Sequence, residues 1–147
     1  MNQSSLSDGY PLNRSGRVLI SLWCLFLISG FGLAAWLKPD QRGFGTHQQL
    51  GLPPCSFQET TGLPCPSCGM TTCFSHFVRG QWIQSTRSSV TGFLLALVCA
   101  VQIPWFAVCL RKNCLWGVRE TGMLALGVIG CLYAVGASEW FVRYLQM

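Results

Sequence analysis

Three apolar runs divide the chain. Val18 to Leu37 is twenty residues long and carries no charge, with Arg14 and Arg17 before it and Lys38 after it. As a helix rising 1.5 Å per residue it measures roughly 30 Å, the thickness of bilayer hydrocarbon, so it reads as a first transmembrane helix (18–37). Val90 to Leu110 is a second uncharged run, interrupted by Gln102 and Pro104. Neighbouring helices can satisfy the carbonyl that a membrane proline frees, which predicts a second span (90–110) with a kink facing protein. Gly122 to Ser138 is a third span at the lower limit of length, followed by Trp140 and Tyr144 as interfacial anchors. Gly127, Gly130, Cys131 and Ala134 give it a face of small residues. Such a face lets another helix approach closely, so a membrane-protein partner or a second copy of the chain is expected there.

The polar stretches between the runs complete the layout. Met1 to Gly16 is rich in Ser, Asn and Gly and reads as a disordered tail, leaving 17–147 as a single membrane domain. A cleaved signal peptide is the competing reading of the first run, but twenty residues exceed the usual apolar core of such a peptide. Within the long loop 38–89, Met70, Cys73, Phe74, Phe77 and Val78 recur at helical spacing, with Thr71, Thr72, Ser75, His76 and Arg79 on the other side. That pattern predicts an amphipathic helix from about Pro66 to Arg79, too short to span. It is expected to be re-entrant or interfacial, burying Phe74 and Phe77 and sending Arg79 towards lipid phosphates. The fold class is therefore an all-α polytopic membrane protein with three transmembrane helices and one short amphipathic helix.

Composition agrees: half of the residues are hydrophobic and a tenth are charged, against about a quarter charged in soluble domains. The lipid bilayer is the expected partner. The net charge of +5 is dispersed, with no basic patch interleaved with aromatics, so no nucleic-acid partner is expected. Lys and Arg are equal in number on the two sides. Arg111, Lys112 and Arg119 are the densest group, and their place in the short connection favours that connection and the N-terminus inside. The cysteine loop then faces outward, the periplasmic side if the protein sits in a cell inner membrane.

Reactive side chains crowd into one stretch. Cys55 precedes Thr61-Gly62-Leu63-Pro64-Cys65-Pro66-Ser67-Cys68-Gly69-Met70-Thr71-Thr72-Cys73. Pro64 and Pro66 stiffen the approach, and Pro66 suits the first turn of a helix. A Cys-x-x-Cys pair at a helix start has its thiolate favoured by unpaired N–H groups and by the helix dipole. Nine cysteines also leave at least one unpaired in a monomer.

Three chemistries fit these residues. In a disulfide clip, Cys55 pairs with Cys65 or Cys68, closing a loop worth about 3 kcal/mol on chain entropy. In a metal site, most simply zinc, Cys55, Cys65 and Cys68 are joined by Cys73, His76 or His47 as fourth ligand. In thiol redox chemistry, Cys65 attacks and Cys68 resolves, although the strands of a thioredoxin-like fold are missing. Cys24, Cys99, Cys109 and Cys131 fall in spans and read as packing residues. Glu139 follows an apolar run and reads as interfacial. No Ser-His-Asp order, carboxylate pair, phosphate-binding glycine loop or haem Cys-x-x-Cys-His motif is present.

Pro54-Cys55 together with the run from Thr61 to Thr71 resembles the signature of small bacterial membrane proteins grouped as domain of unknown function 2752. In that family a cysteine precedes T-G-x-P-C-P-x-C-G-x-T-R, then come an amphipathic helix ending in Gly-Asp and an Asn-Pro that opens the next span. The resemblance covers about Leu52 to Leu110 and marks Gly62, Pro64, Pro66, Gly69 and Thr71 as motif positions. Thr72 stands in place of the family's Arg, Gln81 in place of its Asp, and Ser89-Val90 in place of Asn-Pro. The resemblance implies a membrane location and a recurring cysteine constellation, and it implies no reaction.

Overall fold

The computed structural model describes residues 10–62, 65, 67–115 and 121–145. Leu63, Pro64 and Pro66 of the motif, and residues 1–9 of the stretch read as a tail, lie outside the described residues. Three long helices carry the fold: α1 (Arg14–Trp36), α5 (Val90–Lys112) and α6 (Thr121–Leu145). Three short ones lie between the first two: α2 (Ser56–Thr61), α3 (Met70–Phe77) and α4 (Trp82–Ser88). The protein is all-α and multi-pass, with three helices long and apolar enough to cross a membrane.

The first span starts earlier than its apolar run. Asn13 caps α1 by accepting the Gly16 N–H at 2.7 Å, a bond that satisfies one of the four orphan donors of a helix start. Just before it, Tyr10–Pro11 (β1) pairs antiparallel with Cys114–Leu115 (β2). This two-residue ladder joins the approach to α1 to the exit from α5, so both lie at the end of the bundle opposite the cysteine loop.

The third candidate span runs over Ala125–Leu145 and includes Glu139 and Arg143, whereas the uncharged run stops at Ser138. The helix continues because the two charges pair with each other four residues apart, and because Glu139 serves the next helix. Its carboxylate accepts the Thr91 N–H at 2.9 Å, the Thr91 hydroxyl at 2.8 Å and the Val90 N–H at 3.2 Å. Glu139 thus caps α5 at its positive end, where a carboxylate is favoured, and is not merely an interfacial acid. Outward-facing side chains on the spans are left bare, Leu126 at 70 % exposure among them, as expected of surfaces that lipid covers.

The amphipathic stripe of the cysteine loop is real, but its helix is shorter and more deeply set than the pattern predicts. Phe74 and Phe77 pack on Phe31 of α1, and Phe77 packs edge-on against Phe93 of α5. The opposite face is buried as well. Thr72 and Ser75 are fully enclosed, Thr72 hydrogen-bonded to the Thr46 hydroxyl at 2.7 Å and Ser75 donating to the Leu37 carbonyl at 2.6 Å. Small hydroxyls with partners can be buried at little cost, so a polar face need not be a solvated one.

Arg79 also departs from expectation. Its guanidinium donates to the carbonyls of Ala34, Ala35 and Leu37, at 3.2, 2.8 and 2.7 Å. These belong to the orphan acceptors at the C-terminus of α1, so Arg79 caps a membrane helix instead of seeking phosphates. Gly80, at φ +71°, ends the segment. The chain then enters α4, a helix the sequence pattern does not announce, with Trp82 and Ile83 exposed on its outer side.

Candidate thiol site

The candidate site is built from two tight chain reversals. Cys55 is the residue before α2 and accepts the Glu59 N–H through its carbonyl at 3.1 Å. Gly62, at φ +70°, ends α2 by donating to the Gln58 carbonyl. The chain returns at Cys65, and Cys68 donates its N–H to the Cys65 carbonyl at 2.9 Å, closing a turn that sets both thiols on one side. Gly69 follows at φ +90°. A Cβ there would stand 2.6 Å from the Ser88 carbonyl oxygen and 2.8 Å from that of Gly43. Only glycine fits this position, on backbone conformation and on space alike.

The turn and Gly69 separate the Cys-x-x-Cys pair from the helix. Helix α3 begins at Met70, after Gly69 has turned the chain into a new direction. The thiol that does sit at a helix start is Cys55.

The three thiols converge. The Sγ atoms of Cys55, Cys65 and Cys68 all lie within 4.8 Å of one another, and all three residues are half-buried free thiols. They line a cavity of about 210 Å³ with His47, Gln48 and Gln58 on its wall. His47 is carried by a 3-10 turn, Thr46–Leu50. That turn is pinned by the Thr46–Thr72 hydroxyl pair and by the Asp40 N–H, which donates to Thr46 Oγ1 at 3.1 Å. Thr71 lines the same cavity.

The thiols are electrostatically unequal. The backbone N–H of Gln58 lowers the pKa of Cys55, helped by that of Phe57 and by the thiols of Cys68 and Cys65. Burial pushes Cys68 up to about 11, with the neighbouring sulfurs adding to the shift. Cys55 therefore ionises more readily than Cys68, its charge supported by the start of α2.

Cys73 and His76 are placed elsewhere. Cys73 is fully buried where α3 meets α4 and α5, its Sγ 3.0 Å from Ser85 Oγ and 3.3 Å from the Ser89 carbonyl oxygen. Burial raises its pKa. A Cβ built on Gly92 would meet its sulfur at 3.1 Å, so this thiol is packed like a small core residue. His76 faces Gln81, Nδ1 to Oε1 at 2.6 Å. Of the histidines considered as a fourth ligand, His47 is the one on the cavity wall.

One residue of the third span touches the motif, oriented by a second. Arg143 donates to the Ser88 carbonyl at 2.7 Å and to the Cys68 carbonyl at 3.3 Å, and Glu139 holds its guanidinium. Charges four apart near the end of an apolar run are the only sequence trace of this contact, and they do not name its target.

Residues 55–103, about a third of the chain, match the model of a family described as a protein of unknown function, DUF2752. The match runs from the first cysteine of the site to the middle of α5. No curated protein and no solved structure matches the chain.

Proposed function

We propose that this DUF2752-like membrane protein binds a thiophilic metal ion, most simply zinc, through Cys55, Cys65 and Cys68. One observation carries the reading: three free thiols from two separate chain reversals converge within 4.8 Å. Thiolates about 2.3 Å from a tetrahedral ion stand roughly 3.8 Å apart, so a small inward movement of the sulfurs accommodates one. The lowered pKa of Cys55 favours its thiolate, and a bound cation draws off the protons that the ligand thiols still hold. His47 or a water completes the coordination from the cavity side. The density of Lys and Arg in the 111–119 connection supports a location of the site on the outer face of the membrane.

The test is metal content after purification in detergent, for the wild type and for Cys55→Ser, Cys65→Ser and Cys68→Ser. About one zinc per chain is expected, lost in each variant. Metal-free wild type that takes up neither zinc nor cobalt would exclude the proposal.

A second reading rests on the lowered pKa of Cys55. With Cys65 and Cys68 alongside, its thiolate can attack a partner protein's disulfide, and a neighbouring thiol then displaces that partner, leaving a disulfide here and two reduced sulfurs there, one of them carrying the neighbour's proton. That would make the loop a redox centre or a clip, and the recovered protein would have two thiols fewer to alkylate before reduction than after.

A further inference from the structure

We infer that Arg143 on the third span is a positioning residue for the thiol site, so that ion binding depends on how α6 is docked. The inference rests on the metal-binding reading above. Among the described residues, Cys68 is the one cavity thiol whose backbone accepts a hydrogen bond from a membrane-spanning helix. Its carbonyl and that of Ser88 both accept from Arg143, which forks across them. Gly69, the next residue, leaves no room for a side chain, since a Cβ there would stand 2.6 Å from the Ser88 carbonyl oxygen and 2.8 Å from that of Gly43. Cys68 therefore starts from a backbone fixed on one side by packing and on the other by a charge-assisted hydrogen bond.

Arg143 is itself oriented. Glu139, one helical turn earlier, pairs with its guanidinium while capping α5 through Val90 and Thr91. The chain of contacts runs from the start of α5 through Glu139 and Arg143 to the Cys68 carbonyl, without a gap. Outer contacts that orient a metal ligand characteristically change affinity without touching the ion. Coupling of this kind is reciprocal: an ion that favours the native position of Cys68 also favours the docked position of α6.

Cobalt(II) titration of metal-free protein in detergent tests this, read by the sulfur-to-cobalt charge-transfer absorption. Arg143→Gln is expected to weaken binding by roughly tenfold or more, the range seen for residues that orient a ligand, and to lower the absorption by the share of one thiolate in three. Arg143→Lys keeps the pair with Glu139 but cannot fork across two carbonyls. It should fall between wild type and Arg143→Gln, and it decides the matter if Arg143→Gln does not fold. Unchanged affinity and absorption in both Arg143 variants would overturn the inference, as would a weakened affinity with the absorption of three thiolates intact. Wild type that binds no cobalt would instead overturn the metal reading on which it rests.

Discussion

Cys68 and Cys73 lie five residues apart, on either side of the first turn of α3, and their surroundings are opposite. Cys73 is at 0 % exposure, its sulfur bonded to Ser85 and to the Ser89 carbonyl. Cys68 is half-buried at the rim of a cavity, facing two other sulfurs. One thiol is finished by packing and the other is left for chemistry. The difference comes from Gly69. By taking a left-handed conformation against two carbonyls, it lets the chain turn once before the helix starts, so Cys68 faces outward and Cys73 inward.

The sharpest way to break this contrast is Gly69→Ala. The new Cβ would meet backbone oxygens that cannot move aside, at a φ that L residues rarely adopt. A loss of about 3 kcal/mol or more is expected, seen as a lower midpoint of thermal unfolding in detergent or as failure to recover monodisperse protein. Gly62→Ala is its control, because Gly62 has a similar φ but nothing within 4 Å. It should cost about 1 kcal/mol.

A smaller effect separates the two thiols themselves. Cys73→Ala removes a buried sulfur and leaves the Ser85 hydroxyl short of one partner, so a loss of about 1–2 kcal/mol is expected with metal content retained. Cys68→Ser should do the reverse, leaving the midpoint of the metal-free protein nearly unchanged and removing the ion. Unfolding midpoints and metal analysis on the same preparations check both halves.

Arg79→Gln probes the polar packing on the α1 side of α3. It withdraws a cation from the C-terminal carbonyls of α1 and is expected to cost about 1 kcal/mol, measured by the same thermal assay.

The gentlest probe is pH. Cys55 has its pKa lowered, so its contribution to stability is present above 9.0, the ordinary thiol value, and fades as pH falls through the lowered one. Cys68 is raised to about 11, so the stability linked to its neutral form is present below 9.0 and is lost between there and about 11. In metal-free protein, alkylation followed by peptide mapping should label Cys55 before Cys68 as pH rises. Labelling of Cys68 before Cys55 would contradict the unequal environments described above.

How much of this was legible beforehand follows from the range of the interactions. The three spans show in the sequence because lipid selects uncharged runs one residue at a time, and the stripe from Met70 to Val78 shows because helical spacing is local. The gathering of Cys55, Cys65 and Cys68 was foreseeable as a candidate set, since a Cys-x-x-Cys turn needs few partners. What sorted the remaining ligand candidates was not local. Nothing near Cys73 announces Ser85 and Gly92, and nothing near Thr46 announces Thr72. The third span read as ending at Ser138 because a charge in isolation ends a membrane run. Glu139 is not isolated: its partners are Arg143 on the same helix and the N–H groups of another. Arg79 likewise looked like a lipid-facing cation because its carbonyl partners lie more than forty residues away. Long-range satisfaction of polar groups decided each of these positions, and hydropathy does not carry it.

The claim that the three thiols form a metal site is tested most directly by native mass spectrometry of the full chain, purified in detergent under thiol-protecting conditions and compared with Cys65→Ser/Cys68→Ser. The expected result is wild type carrying one zinc and the double variant none, with all nine cysteines alkylated once the ion is chelated away. A wild-type mass lighter by two hydrogens, with no ion and with two of the three site cysteines protected until reduction, would contradict it.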